Sequence, residues 1–335
     1  MDNYDHYVAI DWAQSNMAIA RMTREAEKIS VIDVPSDIKE FQLYLERLRG
    51  KKILTFEETT TSQWLYTELK SYVDEVVVCD PYRNRLLSEG PKTDKIDAEK
   101  LVQLLRANLL KPVFHSGDEF IYLRKLVSGY EDIVQFGVRF KNQRSSLFRA
   151  NGLDKKEKDL KEPSEQFVLE GIDQGIEAYE KQKSRYEREF NRIVSKNSIV
   201  RNLTSLPGIG KIGAVKVAAI VVDPKRFKDR GQFLSYCGLI CLEKISGGKS
   251  YGQRKPRYQG MLKGVFKTAA LGAIQGEGKN NSMRQFYDYL MREKNYAEHN
   301  ARHAVARRIA VLTLGVLKSG KKYHPRGRLQ CNKTL

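Results

Sequence analysis

The chain is short of the residues that would place it outside the cell or in a membrane. Its 335 residues include four cysteines, too few and too scattered for a disulfide framework: Cys79, Cys237, Cys241 and Cys331. Two of them lie four residues apart, but no second Cys or His pair follows to complete a zinc site. The chain has no run of about 18 apolar residues, and its acidic first residues lack the apolar core of a signal peptide. We therefore expect a cytoplasmic protein with no membrane span.

Acidic residues are scarce in the C-terminal part of the chain. Lys and Arg outnumber Asp and Glu by 20 in residues 201–335, whereas residues 1–200 carry a net charge of −2. Hydrophobic residues make up 41% of the whole, which favours a globular chain over a disordered one. A basic composition is also typical of ribosomal proteins, but a basic field confined to one region indicates phosphate binding.

Composition and periodicity divide the chain into four parts: residues 1–117, 118–200, 201–322 and 323–335. The first part predicts an α/β domain with strands at residues 7–11, 17–21, 28–32, 53–56 and 76–79. Its helices are expected at residues 38–48 (with Ser36 as N-cap), 63–71 and 93–109. The third part reads as mainly α-helical, and the fourth as a basic tail.

The second part carries two stripes whose spacing alternates between four and three residues. One stripe runs from Leu126 to Leu147 and the other from Ile172 to Ile193, with a charged segment at residues 154–163 between them. Such stripes predict a helical hairpin or a coiled-coil arm through which subunits associate. Two ordinary amphipathic helices packed on the domain would have the same pattern.

Four acids stand out because of their positions. Asp11 ends the first predicted strand and Glu57 follows the fourth, and these strands are neighbours in an RNase H-like sheet. Asp94 and Asp97 are three residues apart and share one helix face. Packed carboxylates repel unless a cation neutralises them, and two Mg²⁺ ions would hold the attacking and leaving oxygens of a phosphodiester. Each acid alone is better explained as a cap, a turn residue or a helix-terminal charge, so the joint pattern carries the prediction of a metal site.

The segment SLPGIGK, before an apolar helix, has the pattern of a helix-hairpin-helix. Gly208 and Gly210 would let the turn approach a phosphate, and the amides at the next helix N-terminus would donate to it. Lys211 and Lys216 would add charge. A plain turn between two helices is the alternative, and the local basic charge favours contact with nucleic acid.

The segment SGGKS, from Ser246 to Ser250, resembles the end of a Walker A loop. The glycine required five positions before Gly248 is Glu243, so nucleotide hydrolysis is disfavoured. Basic residues surround this segment: Lys244, Lys249, Arg254, Lys255 and Arg257. By itself the segment is best explained as a surface turn.

In their order along the chain these motifs resemble the DEDD transposases of insertion sequences, which are bridge-RNA-guided recombinases related to Piv-type DNA invertases. The resemblance covers nearly the whole chain and rests on YVAIDWA, TFEET, CDPYRNR, KTDKIDAEKL, LPGIGKIGA, ISGG and GVLKSG. It implies a RuvC-type RNase H fold with an acidic tetrad that binds Mg²⁺ or Mn²⁺: Asp11, Glu57, Asp94 and Asp97. It also implies a C-terminal transposase domain whose nucleophilic serine corresponds to Ser246.

The same resemblance implies partners. They are donor and target DNA, a non-coding guide (bridge) RNA, and further copies of the chain in a dimer or tetramer that completes active sites between subunits. The expected location is the nucleoid of a prokaryotic cell.

The chain departs from the family pattern in two places. Glu57 is followed by ETTTS rather than by a small residue, Thr-Gly and an aromatic residue, which leaves Glu58 as an alternative ligand. Residues 254–260 read RKPRYQG instead of the usual stretch with Ser and Lys, which leaves Ser250 as an alternative nucleophile.

Three functions compete on this evidence. The first is a recombinase that cuts and rejoins DNA through a phosphoserine intermediate, in transposition or in inversion. The second is a metal-dependent nuclease of the Holliday-junction resolvase type, and the third is a non-catalytic nucleic-acid-binding protein derived from a transposase. The complete acidic set argues against the third, and the basic C-terminal half, which a resolvase does not need, argues against the second.

Overall fold

The computed structural model describes residues 4–25, 28–84, 93–115, 119–153, 160–275 and 281–325. Residues 154–159 of the charged segment and residues 326–335 of the basic tail lie outside this range. The chain forms two compact units, Met1–Asp118 and Glu119–Leu335. In the described ranges no helix is both long and apolar enough to cross a membrane.

The first unit is built on a mixed sheet of five strands: β1 His6–Trp12, β2 Asn16–Thr23, β3 Ser30–Pro35, β4 Lys52–Glu57 and β5 Glu75–Cys79. Their order across the sheet is β3-β2-β1-β4-β5. The first three strands form an antiparallel meander, whereas β1, β4 and β5 are parallel. This mixed α/β arrangement is consistent with the expected RNase H-like domain.

Helices cover both faces of this sheet: α1 Ile38–Arg47, α2 Ser62–Leu69, α3 Pro81–Asn84 and α4 Asp94–Arg106. Successive side chains of a strand point to opposite faces, and β1 follows this rule. Its Val8 and Ile10 pack in the cluster that contains α1 and α2, whereas Ala9 packs in the cluster that contains α4. Alanines dominate the α4 side of β1 and β2, so that helix lies close to the strands.

The N-cap of α1 was predicted wrongly. Asp37 and not Ser36 caps the helix, because the Asp37 carboxylate accepts hydrogen bonds from the backbone N–H groups of Lys39 (2.8 Å) and Glu40 (3.3 Å). The Ser36 hydroxyl instead donates to the carbonyl oxygen of Ala13 (2.8 Å), which ties the helix entry to the end of β1.

The second unit is mostly helical. Its helices are α5 Glu119–Ala150, α6 Pro163–Lys196, α7 Ser198–Leu203, α8 Lys211–Val221, α9 Arg230–Tyr236, α10 Gly260–Gln275, α11 Ser282–Arg292 and α12 Glu298–Ser319. The apolar helix α8 lies in the centre of the core, where most of its side chains are buried. A hairpin of two strands, β6 Leu242–Ser246 and β7 Lys249–Arg254, interrupts this helical order.

The two long helices α5 and α6 pack against each other as an antiparallel hairpin. A methyl group on Gly137 would lie 2.5 Å from the Tyr179 ring, and one on Gly175 would lie 2.7 Å from the Phe140 ring, so small residues of each helix receive large residues of the other. The two stripes of the sequence therefore face each other within the chain. Tyr130 and Phe190, near the base of the hairpin, join the main core of the unit (ring centroids 5.2 Å apart).

Candidate active site and nucleic-acid interface

Asp11 lies where the central strand of the sheet leaves the core. The three residues before it on β1 are fully buried, whereas Asp11 is half-buried and pairs across the sheet with Ala18 of β2. Because Ala18 packs on the α4 side of the sheet, Asp11 lies on that side too. Burial raises the pKa of the Asp11 carboxyl above its ordinary value, and the charges of Asp94 and then Asp97 raise it further.

Glu57 lies at the same edge and on the same face. It is the last residue of β4, which runs parallel to β1 with Thr55 opposite Ala9, so the two strands end side by side. The cross-strand partner of Glu57 is Cys79, which packs on the α4 side. The register therefore puts Glu57 on the face that holds Asp11. The next residue, Glu58, is exposed beyond the strand.

The other two acids occupy the first turn of α4. Thr93 caps this helix by accepting a hydrogen bond from the backbone N–H of Ile96 (3.3 Å), and Asp94 and Asp97 follow on one face. Acids at a helix N-terminus are stabilised by the helix dipole. Helix α4 packs against β1, and the charges of both residues act on the Asp11 carboxyl.

As a donor set these four acids suit a hard divalent cation, because carboxylate oxygens are the protein ligands that Mg²⁺ and Mn²⁺ prefer. Within the part of the chain that the structure describes, however, no three His, Cys, Asp or Glu side chains lie close enough together to hold a metal ion. In this conformation the carboxylates do not form a closed coordination shell. Burial is the main cause of the raised pKa of Asp11, and the like charges of Asp94 and Asp97, which a cation would relieve, add to it.

An aromatic pair adjoins the acids and was not singled out in the sequence. The indole of Trp12, the residue after Asp11, contacts the indole of Trp64 on α2 edge to face, with ring centroids 5.4 Å apart. Alternation along β1 puts Trp12 on the α1/α2 side of the sheet, opposite to Asp11. Little in the sequence indicated this contact, because Trp64 lies far from Trp12 and Asp11 along the chain.

Ser246 lies in the second unit, at the tip of the β6–β7 hairpin. It is the last residue of β6 and pairs with Lys249, the first residue of β7. Gly247 and Gly248 form the connection with φ values of 55° and 76°, as two-residue hairpin turns require. The sequence predicted a surface turn here, within a part expected to be mainly α-helical, and the structure places that turn between two strands. Ser250 follows Lys249 and pairs with Ile245.

The hairpin is exposed on both faces, and the predicted basic residues on it and after it are all exposed. They are Lys244, Lys249, Arg254, Lys255 and Arg257. The Lys244 ammonium lies 6.0 Å from the centre of the Tyr251 ring. A two-stranded ribbon with exposed cations has a shape that the major groove of DNA admits.

The glycine-rich turn joins α7 to α8, and its two glycines differ in role. Gly208 has a φ of 76°, and a methyl group on it would lie 1.9 Å from the carbonyl oxygen of Ala269 on α10. Close packing against α10 therefore accounts for Gly208. Gly210 precedes α8 as its N-cap and has open space where a side chain would be, and Lys211 beside it is exposed.

Lys216 points into the unit and not into solvent. Its ammonium forms an ion pair with Glu131 of α5 and lies 5.3 Å from the Tyr130 ring, and its side chain is only 16% exposed. Glu131 and Lys216 also line a cavity of about 740 Å³ beside Gly208 and Gly210. A neighbouring acid thus balances the charge of Lys216, whereas Lys211 is exposed.

Comparisons with known proteins match two separate parts of the chain. A model of the IS110 group of DEDD transposases, described as "Transposase", matches residues 8–150, and one described as "Transposase IS116/IS110/IS902 family" matches residues 200–288. The "Insertion element IS110 uncharacterized 43.6 kDa protein" of Streptomyces coelicolor is 24% identical over 48% of this chain and 39% of its own length. The "Insertion element IS116 uncharacterized 44.8 kDa protein" of Streptomyces clavuligerus is 26% identical over 32% of this chain and 26% of its own length.

The chain thus spans less than half of the length of these curated relatives in each match. The two matched regions are both similar to transposases. Both matched regions and both insertion-element relatives support the DEDD transposase family of insertion sequences for this chain.

Proposed function

We propose that this protein cuts and rejoins DNA strands with a divalent cation held by Asp11, Glu57, Asp94 and Asp97 and with Ser246 as the nucleophile. The observation on which the proposal rests is that β1 and β4 end side by side in the sheet and that α4, with Asp94 and Asp97 in its first turn, packs against β1. The cation is Mg²⁺ or Mn²⁺, because the donors are all carboxylates.

The chemistry starts at the tip of the hairpin. The Ser246 hydroxyl oxygen attacks the phosphorus of a DNA phosphodiester, the bond from phosphorus to the leaving sugar oxygen breaks, and that oxygen takes a proton. The product is a 5′ or 3′ phosphoserine link. In the reverse step a DNA hydroxyl attacks the same phosphorus and releases the serine, so the strands rejoin without ATP.

The surroundings of Ser246 support this role in part. Lys244 and Lys249 are placed to share the negative charge that develops on the phosphoryl oxygens. A serine hydroxyl also needs activation by a base or a metal, and no histidine lies within the hairpin. A bound cation supplies Lewis-acid polarisation of the phosphate. We therefore propose that the activation of Ser246 depends on the cation held by the four acids.

The partners follow from the same proposal. The exposed basic hairpin and the excess of 20 positive charges in residues 201–335 support binding of donor and target DNA and of a structured bridge RNA. The arm formed by α5 and α6 carries large apolar side chains in solvent, with Phe167 79% and Phe136 55% exposed. We propose that Phe136 and Phe167 join subunits. The two stripes that were predicted to do so pack against each other within one chain and are therefore not free to contact a second copy.

The test of the acidic site uses one change and one matched control on the same helix. Asp94→Asn should keep the circular dichroism of the wild type, lose binding of Mn²⁺ in calorimetry and lose recombination. Glu99→Gln removes one charge from the same helix, at a half-buried residue outside the proposed set, and should keep both properties. Full recombination by Asp94→Asn, or by the wild type in EDTA, would contradict the proposal.

A nuclease of the resolvase type is the second candidate, because the acids lie in a unit with its own core that is separate from Ser246. The two functions differ in their products. A nuclease releases free DNA ends at once, whereas the proposed recombinase retains one end on the protein. A denaturing gel with labelled DNA and guide RNA separates them, since only the recombinase gives a protein-shifted band.

A further inference from the structure

A second group of basic residues lies in the second unit, on elements other than the hairpin and the glycine-rich turn. It is formed by two helices that pack against each other, α10 and α12. On α10, Lys263 and Lys267 are four residues apart, and on α12 the three residues His299, His303 and Arg307 repeat the same interval. Residues four apart lie one above the other on a helix, about 6 Å along its axis. We call these five residues the α10/α12 face.

The two rows of the α10/α12 face lie close together. His303 is half-buried between the helices, and burial lowers the pKa of its imidazole below the ordinary value. The charges of Lys267, Arg307, Lys263 and His299, in that order, lower it further. Charged side chains of both helices, Lys263 and Lys267 on α10 and Arg307 on α12, therefore lie near the same imidazole.

In the part of the chain that the structure describes, the charges of the α10/α12 face are not balanced by an acid. In the described ranges none of its five residues has an ion-pair partner, and the nearest acid along α12, Glu298, is paired with Arg302. Lys263 lies over the Tyr258 ring at 4.3 Å from its centre. Other cations of the unit are paired, such as Arg284, which contacts Asp288 at 3.0 Å. Crowded like charges destabilise a folded unit unless an anion binds them.

We infer that the α10/α12 face binds the phosphodiester backbone of a nucleic acid. Lys263, Lys267 and Arg307 carry the permanent charges of this face, and three cations spaced along two helices suit the repeated charge of a backbone better than a single small anion. Backbone contacts position a protein without reading sequence, so this face is expected to hold DNA or RNA while the hairpin acts elsewhere on it. The inference rests on the proposed function and adds a site that is separate from the predicted nucleic-acid-binding residues.

The test measures binding by the full-length protein. The double variant Lys263→Gln/Lys267→Gln is compared with Arg302→Gln, which removes a charge from α12 that is already paired with Glu298. Fluorescence anisotropy with a labelled DNA duplex and a labelled RNA stem-loop gives the affinity over a series of salt concentrations. The double variant should bind at least tenfold more weakly, since a lost charged hydrogen bond costs about a factor of ten or more.

The salt dependence makes the test specific for phosphate contacts. Two lost contacts should reduce the slope of log K against log salt by about 1.8 for duplex DNA or about 1.4 for single-stranded nucleic acid. Arg302→Gln should keep the affinity and slope of the wild type. A reduction with DNA alone or RNA alone supports the face and assigns its ligand. If circular dichroism shows that the double variant is unfolded, the same measurements are made on Arg307→Gln, a change on the other helix, which should also weaken binding and reduce the slope.

Two results would overturn the inference, and they have different meanings. If the wild type forms its covalent DNA adduct while the variants bind both nucleic acids with wild-type slopes, the α10/α12 face has no such role and the proposed function stands. If the wild type binds neither the duplex nor the stem-loop, both fail.

Discussion

Replacing Gly208 by alanine should destabilise the second unit strongly. The added methyl group would lie 1.9 Å from the carbonyl oxygen of Ala269, 2.8 Å from its carbonyl carbon and 3.0 Å from the backbone nitrogen of Ala273. These atoms belong to the backbone of α10, which cannot rotate away as a side chain can. The φ of 76° costs a residue with a side chain roughly 1–2 kcal/mol, and overpacking adds roughly 1–3 kcal/mol. The expected loss is therefore about 2–5 kcal/mol.

Thermal unfolding measures this loss. A unit of this size loses roughly 2–4 °C in melting temperature per kcal/mol, so the helical signal in circular dichroism should melt roughly 4–20 °C lower. Both tryptophans, Trp12 and Trp64, lie in the first unit, and their fluorescence follows that unit separately. A melting temperature of Gly208→Ala within a degree of the wild-type value would refute the packing explanation.

Two neighbouring glycines provide the controls. Gly213→Ala, inside α8, places a methyl group at ordinary distances from the side chains of Val265 (3.5 Å) and Ile209 (3.6 Å), so stability should rise by roughly 0.5–1 kcal/mol. Gly210→Ala meets no atom within 4 Å and should cost at most about 1 kcal/mol as a poorer N-cap. If the turn contacts phosphate, Gly210→Ala should also bind DNA more weakly at temperatures where it is fully folded.

Three further predictions concern the acids and the arm. The fold raises the pKa of the Asp11 carboxyl above its ordinary value of 3.8, so the ionised carboxyl destabilises the folded state at neutral pH. This destabilisation disappears as the pH falls below 3.8. The variant Asp11→Asn in EDTA should therefore have a higher melting temperature than the wild type at pH 7, and the difference should shrink towards pH 4. An Asp11→Asn variant that melts below the wild type at pH 7 would contradict this electrostatic account. Glu57→Gln should abolish recombination while Glu58→Gln keeps it, and the reverse result would move the ligand to Glu58. Phe136→Ser/Phe167→Ser should lower the mass measured by light scattering, and an unchanged mass would argue against association through the arm.

The sheet of the first unit was predictable because its buried strands appear in the sequence as short apolar runs. Central strands such as β1 and β4 are apolar runs, and each ends at an acid where the chain leaves the core. The predicted strands match the observed ones to within a few residues. The preference for Glu57 over Glu58 needed the observed register, since only strand pairing shows which of two adjacent acids lies on the face of Asp11.

The second unit was less predictable, for two physical reasons. Strands β6 and β7 are exposed on both faces, so no alternation of apolar and polar residues marks them. The dipeptide Gly247-Gly248 between two short segments is a hairpin signal that the sequence did offer. The ion pair of Lys216 with Glu131 could not be predicted from the sequence, because these two distant residues come together only when α8 packs on α5.

The most direct test of the account is to locate the covalent bond between protein and DNA. Trypsin cleaves after Lys244, Lys249 and Arg254 and so puts the two candidate serines in separate peptides, residues 245–249 and 250–254. After reaction with DNA and guide RNA and digestion with nuclease, mass spectrometry should find the nucleotide remnant on the peptide of Ser246, and Asp94→Asn should yield none. A remnant on the peptide of Ser250, or DNA that is cleaved and rejoined without any adduct, would contradict the proposed mechanism.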